Sequence, residues 1–584
     1  MAVAPVRRYP LAEAEARLGC YMSDVSFRRQ LSRRQVLQLG LGSVAVSILA
    51  ACQSAPAAAP PASATAAAPQ LAGTPVAATK PTQAPAAATG SAGQVVVMQG
   101  VDANTLDPSF RNSTTEFNIN AHIFNHMTGR DAKTLKVTPE AVLEWKLVDD
   151  LTWDLKIQTG ARFHDGTTVD AEAIAFSITR YAKKTIGGKP SIQGTFTNLT
   201  GFESATPVDA STVRMKTTTP AAIVPDLFSA LEVIPPSQYT DESEANLAKL
   251  ATKPVGSGPY KLAEWVKDDH VTLEVFDGYL GPKPAFQTVT IKPVPELSTR
   301  VLALQNGQAD VIVNVAPDQA PVVDKSEKGR ISKVSGGRNI FVGLRNDRPL
   351  LGDKRVRQAL NYAFNFDAVN RALLQGAGAR TKTIINPPHE PADAKAYPFD
   401  LDKARSLMAA AGWTPGTDGV LQKDGQKFAL VMDSPSGRYI KDKEIAQAIQ
   451  QDLQRLGVQV DLRVLDWSVY AGDMLNKRQP DDIFFLGLGS PFTGQEELNY
   501  IHKDFSLNST YWQNDEYHAL FEQLKASLDD AKRQDIMNKM WAIAYDDPPW
   551  IFIWHQVDFY GVSKRIVWDA RADERIRMTE AKLA

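Results

Sequence analysis

The chain has 584 residues, with 64 Lys and Arg against 66 Asp and Glu and a formal net charge of −2. That balance supplies no basic excess for a phosphate backbone, which argues against nucleic-acid binding. The only two cysteines, Cys20 and Cys52, lie near the N-terminus, so the body of the chain has neither a disulfide framework nor a thiol metal site.

The first element reads as an export signal. Seven Arg (7, 8, 17, 28, 29, 33, 34) face three acids (Glu13, Glu15, Asp24) ahead of an apolar run from Val36 to Ala51. Gly40, Gly42 and Ser43 interrupt that run, and it falls short of the roughly 20 residues of a membrane span. It suits the apolar core of a signal peptide. Arg33 and Arg34, in Ser32-Arg33-Arg34-Gln35-Val36-Leu37, resemble the twin-arginine type of signal. Val36 stands where that type often has Phe, and Gln38 where it often has Lys. A general secretory signal that holds an arginine pair is the alternative. Leu49-Ala50-Ala51-Cys52 resembles a bacterial lipobox, in which the cysteine is diacylated and the chain is cut just before it. Cys52 is then a lipid attachment site and Cys20 is discarded. Two acyl chains suffice for stable anchoring to the cell membrane. Residues 1–51 carry 7 of the 64 basic and 3 of the 66 acidic side chains, so the remainder has 57 against 63, or −6.

Residues 53–93 are Ala, Pro, Thr, Ser and Gly with almost no charge. Nothing there can build a packed core, and scattered Pro stops helix. The segment reads as a tether that holds a domain off the membrane. From Gln94 the composition is that of a globular chain, with roughly 490 residues, enough for two or three lobes.

VVVMQGV (95–101) is a buried-strand run, and LTWDLKI (151–157) alternates as a strand. In DAEAIAFSITRY, Asp170 is a helix N-cap, and Ile174, Ile178 and Tyr181 share one face. DKRVRQALNYAF (353–364) reads as a helix capped by Asp353. KFALVM (427–432) is a strand and DSPSGRY (433–439) a loop. KEIAQAIQQDLQRL (443–456) is a helix ended by Gly457. VQVDLRV (458–464) and DDIFFLG (481–487) are strands. Strand–helix–strand order predicts parallel pairing. Ligands of open α/β sheets sit at the carboxyl ends of strands, which here are SPSGRY (434–439) and LGSPFTGQEE (488–497).

No constellation of catalytic residues emerges. There is no G-x-S-x-G, no G-x-x-x-x-G-K-[ST] and no dinucleotide fingerprint. His122 and His126 have metal-ligand spacing on a helix, but no Glu follows as in H-E-x-x-H and no third ligand is evident, so they read as structural polar residues. No enzyme, cofactor or metal is expected.

Five motifs then fall in order. GVDANTLDP (100–108), AVLEWKLVDDLTWDLKIQTGARFHDGTTVDAEAIAFSITR (141–180), KPVGSGPYKLAEW (253–265), VLALQNGQADVI (301–312) and DKRVRQALNYAFN (353–365) resemble the family 5 extracytoplasmic solute-binding proteins. These are the peptide, dipeptide, nickel and glutathione receptors of ABC importers. The resemblance covers essentially all of 94–584.

The resemblance implies an α/β fold of the type II periplasmic-binding-protein kind, two lobes with an extra subdomain and two hinge crossings. Lobe I would be about 94–335 with the tail 553–584, the extra subdomain about 131–245, and lobe II 336–552. The crossings would be near SGGRNIFVGL (335–344) and WIFIWHQVDF (550–559). The implied partners are a small-molecule solute, membrane permease subunits and a separate ATPase, with the receptor itself a monomer.

The resemblance also implies ligand contacts. Asn112, Ser113 and Thr114 match a solute-contacting loop, though these residue types favour solvated turns as well. Trp467 matches a cavity-lining aromatic; core packing is its alternative. Arg438 and Tyr439 follow a strand, and Arg438 can fork onto a carboxylate or pair with Asp442 or Glu444. Gly489 and Ser490 lie in the loop where peptide receptors often carry an Asp for the ligand's ammonium. Ser490 takes that Asp position, and a hydroxyl cannot neutralise an ammonium. Either Glu496 or Glu497 substitutes, or the solute has no free amine at that point, which leaves oligosaccharide-type, opine-type or other amphipathic solutes open. Sensing rather than transport is a further alternative.

Overall fold

The computed structural model describes residues 93–584 except 112, 192–193, 387–388, 473, 475–479, 490–492 and 506–507. The export signal, Cys52 and the tether up to residue 92 lie outside the described residues, as do Asn112 and Ser490.

Two sheets organise the chain. The smaller has four antiparallel strands, β2 (Val142–Asp149), β3 (Thr152–Ile157), β4 (Phe202–Asp209) and β5 (Thr212–Thr217), in the order β2-β3-β5-β4. The larger has ten: β1 (Gln94–Gln99), β6 (Tyr260–Val266), β7 (His270–Val275), β8 (Thr288–Pro293), β9 (Val311–Ile312), β10 (Gly329–Leu344), β11 (Ala429–Ser436), β12 (Gln459–Asp466), β13 (Ile483–Leu488) and β14 (Trp550–Ser563). Their spatial order is β6-β7-β8-β1-β9-β14-β10-β13-β11-β12. One half of this sheet therefore precedes β10 in sequence and the other follows it. The halves meet only through the long antiparallel pair β10 and β14.

Local chemistry sets the helices where the sequence marks them. Helix α1 (Thr114–Ile123) starts at Ser113, whose hydroxyl accepts the Glu116 N–H while Glu116 returns a bond to the Ser113 backbone, a capping box. Helix α2 (Ala171–Tyr181) is capped by Asp170, which accepts the Ala173 N–H at 2.9 Å. Helix α3 (Lys354–Ala363) is capped by Asp353. Helix α4 (Asp442–Leu456) ends at Gly457 with φ of 98°, a left-handed conformation that glycine adopts without steric cost. It connects β11 to β12, which pair in parallel as strand–helix–strand order requires.

One boundary differs from expectation. The loop read at 433–439 is strand as far as Ser436, because the ladder with β12 continues through Ser434↔Val464 to Ser436↔Asp466. Tertiary pairing here outweighs the turn preference of Ser and Pro, and the loop proper begins at Gly437. Three buried clusters form the core. One surrounds α4 and the middle strands, and one lies under β1 and β8. The third joins the four-stranded sheet to residues 384–552 in a single apolar body.

Candidate functional site

The site grows from a defect in the central strand pair. β10 and β14 are in register from Gly329↔Ser563 to Ser335↔Val557 and again from Asn339↔His555. Between these points Gly336, Gly337 and Arg338 oppose Gln556 alone, a bulge that bends the strand and re-aims its side chains. Glycine is required at the bulge, since a Cβ on Gly336 would stand 2.4 Å from Asp558 Oδ2.

Arg338 points from the bulge into a cavity of about 50 Å³ that is also lined by Thr114, Arg438, Gln556, Asp558 and Glu574. The Arg338 Nη2 donates to Glu574 Oε2 at 2.6 Å and Thr114 Oγ1 at 3.0 Å, and its Nη1 donates to the Gly487 carbonyl at 3.3 Å. Burial opposes its charge most strongly, but the Glu574 carboxylate, Tyr439 and Asp558 together outweigh it and raise its pKa above the ordinary arginine value. Arg338 and Glu574 thus neutralise each other.

Two ionisable groups on the same cavity have no such partner. Asp558 is 4 % exposed and accepts one bond, from Gln556 Nε2 to its Oδ1 at 2.7 Å; its Oδ2 and the Gln556 Oε1 are buried without a hydrogen-bond donor among the described residues. Burial, reinforced by the nearby Glu574 charge, pushes the Asp558 pKa up to about 8. Arg438 is the second. Its Nε is shielded and unpartnered, and its guanidinium lies 5.1 Å over Trp467 and 5.2 Å over Tyr439. Burial, and then the Arg338 charge, lower its pKa. Asp442 does not pair with it, because that carboxylate accepts the backbone N–H groups of Gly437, Arg438 and Tyr439 at 2.8–3.0 Å.

The residues expected from sequence divide into three groups. Thr114 and Arg438 line the cavity. Tyr439, Trp467 and Gly489 stand one layer behind. Tyr439 donates to the Gly487 carbonyl at 3.1 Å, Trp467 stacks on Arg438, and Gly489 lies against the Arg338 guanidinium. Ser113 and Glu496 are elsewhere. Ser113 caps α1. Glu496, on a short helix at Gln495–Asn499, is set against Glu497 and the charges of Arg130 and Asp226; burial and Glu497 raise its pKa to about 8. Arg338, Gln556, Asp558 and Glu574 were not singled out from sequence. Their signal is a Gly-Gly-Arg inside a strand, and a lone acid in the apolar run WIFIWHQVDFYGV.

The two spaced histidines have structural roles. His122 Nδ1 bonds the Asn118 carbonyl at 2.8 Å and its Nε2 accepts the Met578 N–H at 3.0 Å, while burial lowers its pKa to about 4. His126 sits between Glu140 and Glu232. Glu232 in turn is held by Arg111 (2.6 and 2.8 Å) and the Tyr181 hydroxyl (2.7 Å). Among the described residues no cluster of three His, Cys, Asp or Glu is placed to hold a metal. No described helix is long and apolar enough to cross a membrane.

Comparison with known proteins accounts for this architecture. Residues 136–555 match the profile of the bacterial extracellular solute-binding proteins, family 5, middle region. The oligopeptide-binding protein AppA of Bacillus subtilis is 26 % identical over 427 residues, covering 69 % of this chain and 75 % of the relative. The dipeptide-binding protein of Escherichia coli K12 is 24 % identical over 482 residues, 78 % of this chain and 88 % of the relative. The structure of AppA with a nonapeptide superposes with a TM-score of 0.76 at 22 % identity, over 84 % of this chain and 99 % of AppA. That of AgaA with agropinic acid, from A. tumefaciens R10, gives 0.72 at 23 % identity over 84 % and 99 %. The fold is the two-lobe type II periplasmic-binding-protein fold.

Proposed function

The chain belongs to the bacterial extracellular solute-binding proteins of family 5, and on that premise we propose that it captures a peptide-like solute between its lobes for an ABC importer. Receptors of this family deliver solute to membrane permease subunits driven by a separate ATPase. We place lobe I at about 94–335 with 553–584, its extra subdomain at about 131–245, and lobe II at 336–552. The passage of the large sheet through β10 and β14 alone supports hinges there.

One observation carries the reading of the site. Arg438 presents a guanidinium without a carboxylate partner to a cavity on the hinge strands, backed by Trp467 and Tyr439. A shielded cation of this kind favours a solute carboxylate, because a forked charge-assisted contact is about twice as strong as a neutral one. The aromatic pair behind it fixes the direction of the fork. The cavity of about 50 Å³ admits one small group and not a whole peptide. Capture therefore starts from a wider cleft, and hinge closure is driven only by a solute that binds the closed form better. A carboxylate-bearing opine-type solute is the second reading, favoured by Ser490 in the position where related peptide receptors carry an acid.

Purification of the full-length protein without prior denaturation, followed by unfolding and mass spectrometry of the released small molecules, tests both. A ladder of peptide masses supports peptide capture. Sugar-linked or other amine-free acids select the second reading, and neutral masses alone reject both. We further propose that Cys52 is the lipid anchor and that Arg33 and Arg34 direct twin-arginine export. Release of a Cys52→Ala protein from the membrane fraction supports the first. Unimpaired export of an Arg33→Lys, Arg34→Lys protein rejects the second.

A further inference from the structure

Asp558 and Gln556 line the same cavity as Arg438 and each carries a buried oxygen without a donor, on a strand that no sequence resemblance assigned to the ligand. Both side chains are more than nine-tenths buried, at 4 % and 3 % exposure, and neither Asp558 Oδ2 nor Gln556 Oε1 meets a donor among the described residues. A buried acceptor left without a donor costs on the order of 1–3 kcal/mol. The fold nonetheless maintains the arrangement with a two-glycine bulge, and Gly336 leaves room for the carboxylate where any side chain would collide with it. The obvious donor nearby, Arg338, is held instead by Glu574, Thr114 and the Gly487 carbonyl.

We propose that Asp558, with Gln556 Oε1 beside it, is the ammonium-binding subsite of the solute cleft, and that it stands in for the acid replaced by Ser490. This rests on the reading of the chain as a solute receptor, and it narrows the solute to a zwitterion with a carboxylate for Arg438 and a primary ammonium for Asp558. A primary ammonium carries three N–H donors and no acceptor, which suits a pocket whose free atoms are a carboxylate and an amide oxygen. Glu496 does not compete for this role, since it is not among the residues lining the cavity.

Proton exchange accompanies binding. The titratable or charged groups that face Asp558 are Glu574, Arg338 and the Tyr560 phenol. Without an ammonium, burial and the Glu574 charge favour the protonated acid of Asp558 at neutral pH. An arriving R–NH3⁺ converts the carboxylic acid to a carboxylate, the O–H bond breaks, and the proton leaves to solvent. Binding at neutral pH should thus release a proton, and affinity should rise with pH while the solute keeps its ammonium.

The test uses the full-length protein and three probes: trialanine, N-acetyl-trialanine and trialanine amide. Titration calorimetry at pH 7 in phosphate and in Tris reads affinity and proton release together. The expected result is that N-acetylation weakens binding at least tenfold, and that trialanine releases a proton. Asp558→Asn should lose both effects while still preferring trialanine to its amide through Arg438. If the acetylated peptide binds as well as trialanine, or Asp558→Asn keeps the discrimination, the ammonium subsite is wrong and the receptor reading stands. If none of the three binds, the peptide reading falls and this proposal falls with it. The acetylation comparison is made on the unmutated protein, so it holds even where the variant folds poorly.

Discussion

Glu232 and Asp558 are both carboxylates withdrawn from water, at 0 % and 4 % exposure, and they are treated in opposite ways. Glu232, behind α1, receives both arms of Arg111 and the Tyr181 hydroxyl. Burial works to raise its pKa, yet the Arg111 charge and its hydrogen bonds prevail and hold it below the usual range. Asp558, on β14, accepts from Gln556 alone, so burial, reinforced by the like charge of Glu574, moves it up to about 8. Depth of burial is the same; completeness of partners is not. A charge whose lone pairs are all matched belongs to the scaffold. A charge left open toward a cavity, with its neighbours already committed, is available to a ligand.

The sharpest way to break this contrast is to remove the matched charge. Glu232→Gln keeps the volume but sets an amide N–H₂ against Arg111 and leaves that guanidinium buried without an anion. Removing one member of a buried pair typically costs about 3–5 kcal/mol. The denaturant midpoint of the purified protein should fall accordingly. A loss below about 1 kcal/mol would show that the Arg111–Glu232 pair is not the scaffold element described here.

The next effect separates the two by pH. Asp558 and Glu496 each retain a proton in the folded state up to about pH 8, whereas an unfolded Asp or Glu loses it near ~4. Between those values each of the two groups binds more proton in the folded state than in the unfolded one, so its contribution to stability falls as pH rises through the window. Each group contributes at most about 1.4 kcal/mol per pH unit, or roughly 2 kcal/mol between pH 6.5 and 8. Since buried histidines with lowered pKa values such as His122, His164 and His502 work in the opposite direction, Asp558→Asn and Glu496→Gln should each remove that residue's share of the decline, read as the difference from wild type. Glu232→Gln should leave it unchanged, because the pKa of Glu232 is displaced in the opposite direction. Urea unfolding at pH 6.5 and 8 measures all three, and an Asp558→Asn or Glu496→Gln protein whose stability changes between the two pH values as much as that of the wild type would contradict the assignment for that residue.

The contrast was half legible in sequence. Elements set by local chemistry were plain: the Asp170 and Asp353 caps, the Gly457 stop, the parallel pairing across α4. So were two residues that line the cavity, Thr114 at the start of α1 and Arg438 just beyond the end of β11. The strand at 429–436 runs beyond the part its own sequence marks, because its last polar residues are held by β12 and not by their own preferences. Arg338, Asp558 and Glu574 stayed hidden for the same reason at longer range. Each is unremarkable in its own segment, and they meet only when a bulge on β10 faces β14 and the C-terminal segment returns Glu574 to Thr114, 460 residues away in sequence. Periodicity cannot report a contact of that separation. A glycine pair inside a strand and a lone acid in an apolar strand were the only traces.

The smallest effect concerns the other open charge. Arg438 carries its guanidinium over Trp467 and Tyr439 with no anion in ion-pair distance among the described residues. The ring faces attract a cation, worth about 0.5–1 kcal/mol where water still reaches it. Against this stand partial desolvation and the like charge of Arg338, the two influences that lower its pKa. Arg438→Met keeps an apolar stem on the rings and removes the charge. Folding stability should then change by less than about 1 kcal/mol, and in the stabilising direction, since an unpaired charge replaced by a packed apolar group is neutral or favourable. The same variant should lose the preference for a solute carboxylate over its amide. A variant that is clearly destabilised would mean that the aromatic pair, and not a ligand, is the partner Arg438 is built for. The distinction between matched and open charges would then hold for Asp558 alone.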